Sequence, residues 1–345
     1  VAFQDDTVFV VGAGASAEFG LPVGWKLLEK IRNNSRFQFQ GTRASDGNEK
    51  IIRTVYGRYN LDSYQHKKAF EALDDIHRGV ETAGSIDEYI NRYSDNSLIA
   101  EMGKLQIAYA ILLAESQSAM MLPGVEPMNW HPLEGTWIAP FTRALFDGVR
   151  AKDVEEIGSN ITIICFNYDR CIEHYLEHAI QRAYRDVDHV MAREIVNRMN
   201  IIHPYGSLGP LDDLPFGSPV ETTNLYDVVE NLITWSETID DHLLIDSIRE
   251  AVGEAKTLIF LGFAFANQNM KLLDAQVTEA KPYYTRVYAT GKGLTDDVDD
   301  TLKDKITKLF APSAVHKKWH GQQIRIKYDM VCKEFMDKQL MNFTV

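Results

Sequence analysis

Cysteine is scarce: Cys165, Cys171 and Cys332 are all that 345 residues contain. An odd number with no Cys-x-x-Cys spacing excludes a disulfide framework and a four-thiolate zinc ribbon. The three read as ordinary buried thiols suited to a reducing compartment, so a cytoplasmic location is expected. Basic charge is also in deficit, with 36 Lys and Arg against 49 Asp and Glu and a formal net charge of −13. Direct gripping of a nucleic-acid backbone needs clustered cations, and none is expected here, although a basic partner subunit is compatible with such a surface. No run is expected to reach membrane-spanning length, and the visible N-terminus enters strand-like sequence without a signal-peptide pattern. There is no internal repeat and no low-complexity tract. What the chain has is apolar residues, 45% of the total, enough for one large core or for a domain carrying an insertion.

Short apolar runs read as buried strands: Thr7–Val11, Ile161–Phe166, Asn200–His203, Thr257–Gly262 and Arg286–Ala289. Helices are predicted near Val23–Arg32, Arg170–Tyr184, His189–Met199 and Thr238–Val252. The polar stretch Asn33–Lys50 reads as a surface loop, as does Gly209–Pro219 with its prolines and glycines. From about Ile51 to Val149 the pattern is mostly helical, most clearly over Leu98–Met121. Apolar strands alternating with helices predict an α/β fold, a Rossmann-like mostly parallel sheet with helices on both faces. The division expected is residues 1–36 with 155–345 as the nucleotide-binding domain and 37–154 as a large, mostly helical insertion.

Ligands in such sheets sit beyond the carboxyl ends of the strands. Each apolar strand here ends in something polar or glycine-rich. After Val8-Phe9-Val10-Val11 comes Gly12-Ala13-Gly14-Ala15-Ser16, then Gly20-Leu21-Pro22. Gly12-x-Gly14-x-x-Ala17 fits the general dinucleotide fingerprint, with glycines for a tight turn and close approach of phosphates to backbone. The acidic residue that an ordinary dehydrogenase carries about 20 residues on is missing from Asn33–Phe37. Asn167-Tyr168-Asp169 follows the second strand. Asn167 offers an amide to ribose hydroxyls or a water, and Asp169 an acceptor for a carboxamide, while both are also good helix caps. His203-Pro204-Tyr205-Gly206-Ser207 follows the third. In extended chain His203 and Tyr205 share a face, and a histidine there is a candidate base near neutral pH. Gly262-Phe263 follows the fourth and either borders a ligand or caps the core. His174 and His178, four apart on a helix, lack a third ligand and read as a solvated face.

In kind, order and spacing, the glycine motif with Gly20-Leu21-Pro22, Asn167-Tyr168-Asp169 and Gly206-Ser207 resembles the sirtuin superfamily. The chain looks most like the sirtuin-like NAD-consuming effectors of bacterial anti-phage defence. It departs from deacylating sirtuins in three ways. It has no four-cysteine zinc module. Val23-Gly24-Trp25 stands where an Asp-Phe-Arg run would order the nicotinamide loop. Tyr205 occupies the place of the catalytic histidine, with His203 two residues earlier.

The resemblance implies a NAD hydrolase that depletes NAD in abortive infection, using NAD as substrate and no metal. Gly12, Ala13, Gly14, Ala15 and Ser16 would hold the diphosphate, and Pro22 would belong to the same cofactor-binding set. Asn167 would orient ribose or water, Asp169 the carboxamide or the developing cation, and His203 would be the base. Tyr205, Gly206, Ser207, Gly262 and Phe263 would border the ligand, with His203 and Tyr205 both open as the essential ribose-side residue. The resemblance further implies a homo-oligomer and partnership with a HerA-type ATPase or another phage-sensing component. Rival readings are a zinc-independent protein deacylase or ADP-ribosyltransferase, and a non-catalytic subunit that senses NAD or a related nucleotide.

Overall fold

A computed structural model describes residues 2–41, 43–59, 64–121, 128–278, 283–311 and 323–345. The strands are β1 (Thr7–Val11), β2 (Gln38–Gln40), β3 (Arg43–Asp46), β4 (Ile161–Cys165), β5 (Asn200–Ile202), β6 (Thr257–Leu261), β7 (Arg286–Thr290) and β8 (Ile324–Lys327). Six of them form one sheet in the order β5-β4-β1-β6-β7-β8, with every pairing parallel. This is the expected Rossmann-like α/β arrangement, with β1 at the centre between β4 and β6.

Strand alternation divides the sheet between two cores. Val8, Val10, Ile164, Leu258, Phe260 and Val287 face one; Phe9, Val11, Ile163, Ile259, Leu261 and Tyr288 face the other. Helices 24–34, 49–58, 64–79, 97–116 and 242–254 contribute to the first core. Helices 138–146, 171–183, 189–198 and 332–339 contribute to the second. Continuous apolar strands follow from burial on both faces, as parallel sheets require. The helices between residues 49 and 116 share the first core with the sheet itself, Ile51, Phe70 and Leu105 lying in one cluster with Val10 and Phe260.

Several expectations need correcting. The polar stretch after residue 33 contains the antiparallel hairpin β2–β3, which the lack of apolar residues concealed. The region Thr238–Val252 is two helices, Trp235–Asp240 and His242–Glu254, because the Asp241 side chain accepts from the Leu244 N–H and starts the second. Helix Ser97–Ser116 is long and apolar enough, by length and composition, to cross a membrane, contrary to expectation, but it is mostly buried inside the fold. Its apolar faces are met by helices 64–79, 225–229 and 24–34.

Candidate functional site

The carboxyl ends of β1, β4 and β6 meet in a compact knot. Beyond β1 the chain makes a single helical turn, Ala13–Ser16, continues as the 3-10 turn Ala17–Phe19 and is closed by Gly20 in the left-handed region (φ 92°). The helix predicted near Val23–Arg32 runs from Gly24 to Asn34, past the buried Pro22. The glycines have a tighter role than leaving room for a ligand. Gly12 N–H donates to the Leu261 carbonyl and Gly14 N–H to the Gly262 carbonyl, each at 2.9 Å. A Cβ on Gly12 would stand 2.7 Å from the Gly262 oxygen, and one on Gly14 2.8 Å from the Gly262 Cα. Two backbone turns thus touch where only glycine fits. Ala15 N–H is also satisfied, by the Gly12 carbonyl at 2.9 Å, and the Ala15 carbonyl accepts from the Trp137 indole at 3.0 Å.

Asn167 ties β4 to this turn. Its amide Nδ2 donates to the Gly12 carbonyl at 3.1 Å and to Ser16 Oγ at 2.8 Å, while its Oδ1 is buried without a hydrogen-bond partner. A buried unpaired amide oxygen costs free energy, and a water or a ligand group that bonds to it would recover that cost. Ser16 lies close enough to Asp169 to favour its charged form. Asp169 Oδ1 accepts from the Cys171 N–H at 3.2 Å and so satisfies the first amide of helix 171–183, whose N-cap position is Arg170. Burial pushes the Asp169 carboxyl above its ordinary range against these bonds.

His203 joins the same knot, but not in extended chain. β5 ends at Ile202, and Gly206 N–H closes a turn on the His203 carbonyl at 3.0 Å. His203 and Tyr205 therefore do not share a face. His203 Nδ1 meets the Asn167 carbonyl at 3.1 Å and Nε2 meets Glu173 Oε1 at 2.6 Å. Tyr205 turns into the first core, packs near Phe166 and Tyr168, and donates its hydroxyl to Asn269 Oδ1 at 2.7 Å. Burial alone would lower the His203 pKa, but the Glu173 charge and hydrogen bond outweigh it and raise it. Burial would likewise raise Glu173, yet His203 and Arg170 hold it below its usual value.

The remaining expected residues are held by protein. Gly206 (φ 66°) passes so near the Asn231 carbonyl that a Cβ would lie 2.0 Å from it. Ser207 Oγ accepts from Gly209 N–H at 3.3 Å. Gly262 (φ 59°) abuts the glycine turn and donates to Thr290 Oγ1 at 2.8 Å. Phe263 is buried among Phe166, Phe260 and Phe265, the core-capping alternative.

Four neighbours escaped the sequence reading. Glu173 lies one helical turn beyond Asp169. Arg170 forms a fully buried ion pair with Glu115 (Nη2–Oε2 2.6 Å), and its backbone N–H also donates to that carboxylate at 3.0 Å. Asp87, from helix 86–92, accepts from the Tyr168 hydroxyl, and burial pushes its carboxyl up to about 6. An acid closing the mostly apolar run Leu105–Ala114 was the available signal for Glu115. His174 and His178 are buried, contrary to the solvated reading, with His174 stacked on Phe216 at 4.1 Å. Among the described residues no group of three His, Cys, Asp or Glu is placed to hold a metal ion, and the cysteines are free and buried.

Comparison with known families matches residues 161–308 to the SIR2-like domain. The matched span holds Asn167, Asp169, His203 and Gly262 and is similar to a domain that uses NAD as substrate, which fits NAD-dependent enzyme activity in general. No curated protein and no solved structure matches the chain.

Proposed function

We propose that this protein cleaves NAD+ between nicotinamide and ribose, releasing nicotinamide and ADP-ribose. One observation carries the reading. Asn167, bonded to the glycine turn and carrying a buried, unpartnered Oδ1, stands beside His203 and Asp169 at the carboxyl ends of neighbouring parallel strands. In this reading the C1′–N bond breaks with its electron pair going to the pyridinium ring, which becomes neutral nicotinamide. Water adds to C1′ and gives up a proton. No strong acid is needed, so the site has to position ribose and water and face a developing cation with electron-rich groups. Asn167 Oδ1 accepts from a ribose hydroxyl or the water, the Asp169 carboxylate faces the cation, and His203 takes the proton once it has a free ring nitrogen.

A constitutive hydrolase of this kind would exhaust its own cell. The proposal therefore includes gating by assembly, as a cytoplasmic homo-oligomer with a HerA-type ATPase or another phage-sensing component in anti-phage defence. Chromatography of NAD+ incubated with the purified protein, alone and with such an ATPase, tests the reading. Nicotinamide and ADP-ribose should appear in equal amounts, and Asn167→Ala should stop their release while circular dichroism still shows a folded chain. Full activity in Asn167→Ala overturns the assignment. Acylated ADP-ribose formed with an acylated peptide favours a deacylase, and tight binding without turnover under every condition favours a nucleotide sensor.

A further inference from the structure

The ring of His203 is enclosed by acceptors on both sides. A carbonyl oxygen can only accept, so Nδ1 facing the Asn167 oxygen at 3.1 Å must carry its hydrogen. The opposite nitrogen, Nε2, stands 2.6 Å from a carboxylate oxygen of Glu173, a charge-assisted distance. Neither nitrogen offers a lone pair to a ribose hydroxyl or a water in this arrangement. Both side chains are largely enclosed, 13% exposed for His203 and 20% for Glu173. The second carboxylate oxygen of Glu173 is buried without a partner, as is Oδ1 of Asn167. The other ionisable groups around the pair are Asp169, Arg170, Glu115, Cys165 and Cys171. Arg170 is committed to Glu115, which leaves the imidazolium as the hydrogen-bonding cation for Glu173.

We propose that Glu173 is a positioning residue that holds His203 doubly protonated and fixes its ring against the Asn167 carbonyl, so that the base becomes available only when this pair loses a proton. The consequence for turnover rests on the cleavage reading above; the pairing does not. Glu173 then has two effects of opposite sign. It aims the imidazole into the knot, and it restrains the base at neutral pH. The direction of the shifts agrees, since the histidine is raised and the glutamate lowered by each other against the effect of burial.

The pairing is tested by long-range 15N–1H spectra of histidine-labelled protein, with the His203 signal assigned from its loss in His203→Gln. In the wild type both ring nitrogens should be protonated at pH 7, with a titration midpoint above the ordinary value of about 6.5. Glu173→Gln should lower the proton affinity at least tenfold, a midpoint shift of about one pH unit, and Glu173→Asp should restore part of it. The ascending limb of kcat/KM against pH should move down with the spectrum, so the Gln variant keeps more of its own maximum at pH 6 than the wild type does. A neutral His203 at pH 7 in the wild type overturns the proposal, and that measurement stands even if the Glu173 variants do not fold. An unchanged midpoint in Glu173→Gln overturns it too. NAD+ left intact by a wild type whose spectra behave as expected would overturn the cleavage reading and leave the pairing standing. Cleavage with an unmoved limb in Glu173→Gln, in a variant whose spectral midpoint has moved, would leave the cleavage reading standing and overturn the claim that this pair governs when the base is available.

Discussion

Replacing Gly262 by alanine is the sharpest test of why the knot has its form. The added Cβ would lie 2.1 Å from the Ala15 nitrogen and 2.4 Å from the Gly14 carbonyl carbon, both backbone atoms that cannot rotate away. Ordinary contact begins near 3.4 Å, so one turn must retreat by about 1.3 Å, the difference between 3.4 and 2.1 Å. The retreat strains the bonds Gly14 N–H to Gly262 O and Gly12 N–H to Leu261 O, both 2.9 Å, and Gly262 N–H to Thr290 Oγ1 at 2.8 Å. Each such bond contributes about 1 kcal/mol net, and a left-handed alanine adds about 1–2 kcal/mol. Gly262→Ala should therefore destabilise by about 3–5 kcal/mol, toward the upper end of single substitutions. Urea unfolding followed by tryptophan fluorescence measures it, with Trp137, bonded to the Ala15 carbonyl, as a local reporter. Gly24→Ala is the control: its Cβ meets nothing within 4 Å at the start of a helix, so it should be neutral or slightly stabilising. If Gly262→Ala falls within about 1 kcal/mol of the control, steric contact between the two turns is not what requires the glycine.

Removing the acid of the buried ion pair, Glu115→Ala, strands the Arg170 guanidinium at 2% exposure and should cost about 3–5 kcal/mol. The double variant Glu115→Leu/Arg170→Met should recover much of that in the same unfolding assay, and a cost under about 1 kcal/mol for the single change would show the pair to be dispensable. Asp87 gives a pH signature. Its folded-state pKa is raised from 3.8 to about 6, so the folded state holds a proton that the unfolded chain releases. Stability should therefore fall as pH rises from about 4 through about 6, by about 1–3 kcal/mol. Asp87→Asn should flatten that part of the stability–pH curve, and an unchanged slope would refute the assignment.

Strands were legible where burial on both faces left unbroken apolar runs, as in β1, β4, β6 and β7. β8 was not expected: Ile324-Arg325-Ile326-Lys327 is an edge strand whose alternation is short and half charged. The positions of Asn167 and Asp169 were readable because a polar group at the end of an apolar strand has few other reasons to be there. Their partners were not, because the bonds that define the site join distant parts of the chain. Glu173 reaches His203 across 30 residues and Glu115 reaches Arg170 across 55. Local periodicity carries no information about such pairs. The same limit misplaced His174 and His178, since a four-residue spacing tells which residues share a helix face but not that Phe216 covers it. The strand-alternation argument for His203 and Tyr205 failed for a local reason: β5 is only three residues long, and the turn that follows sends Tyr205 into the first core while His203 stays against Asn167 and Glu173.

The order of strands in the sheet also constrains how the chain is made. β1 occupies the middle, yet its neighbours β4 and β6 begin only at Ile161 and Thr257. At ribosomal speeds of about 5–20 residues per second, one edge of β1 waits about 8–30 s for its partner and the other about 12–50 s. During that interval Val8-Phe9-Val10-Val11 is an uncovered, charge-free strand of the kind that pairs with the wrong neighbour. The centre of the finished molecule is thus a segment exposed to misassociation during synthesis, and the nascent chain is a natural client for factors that shield apolar segments.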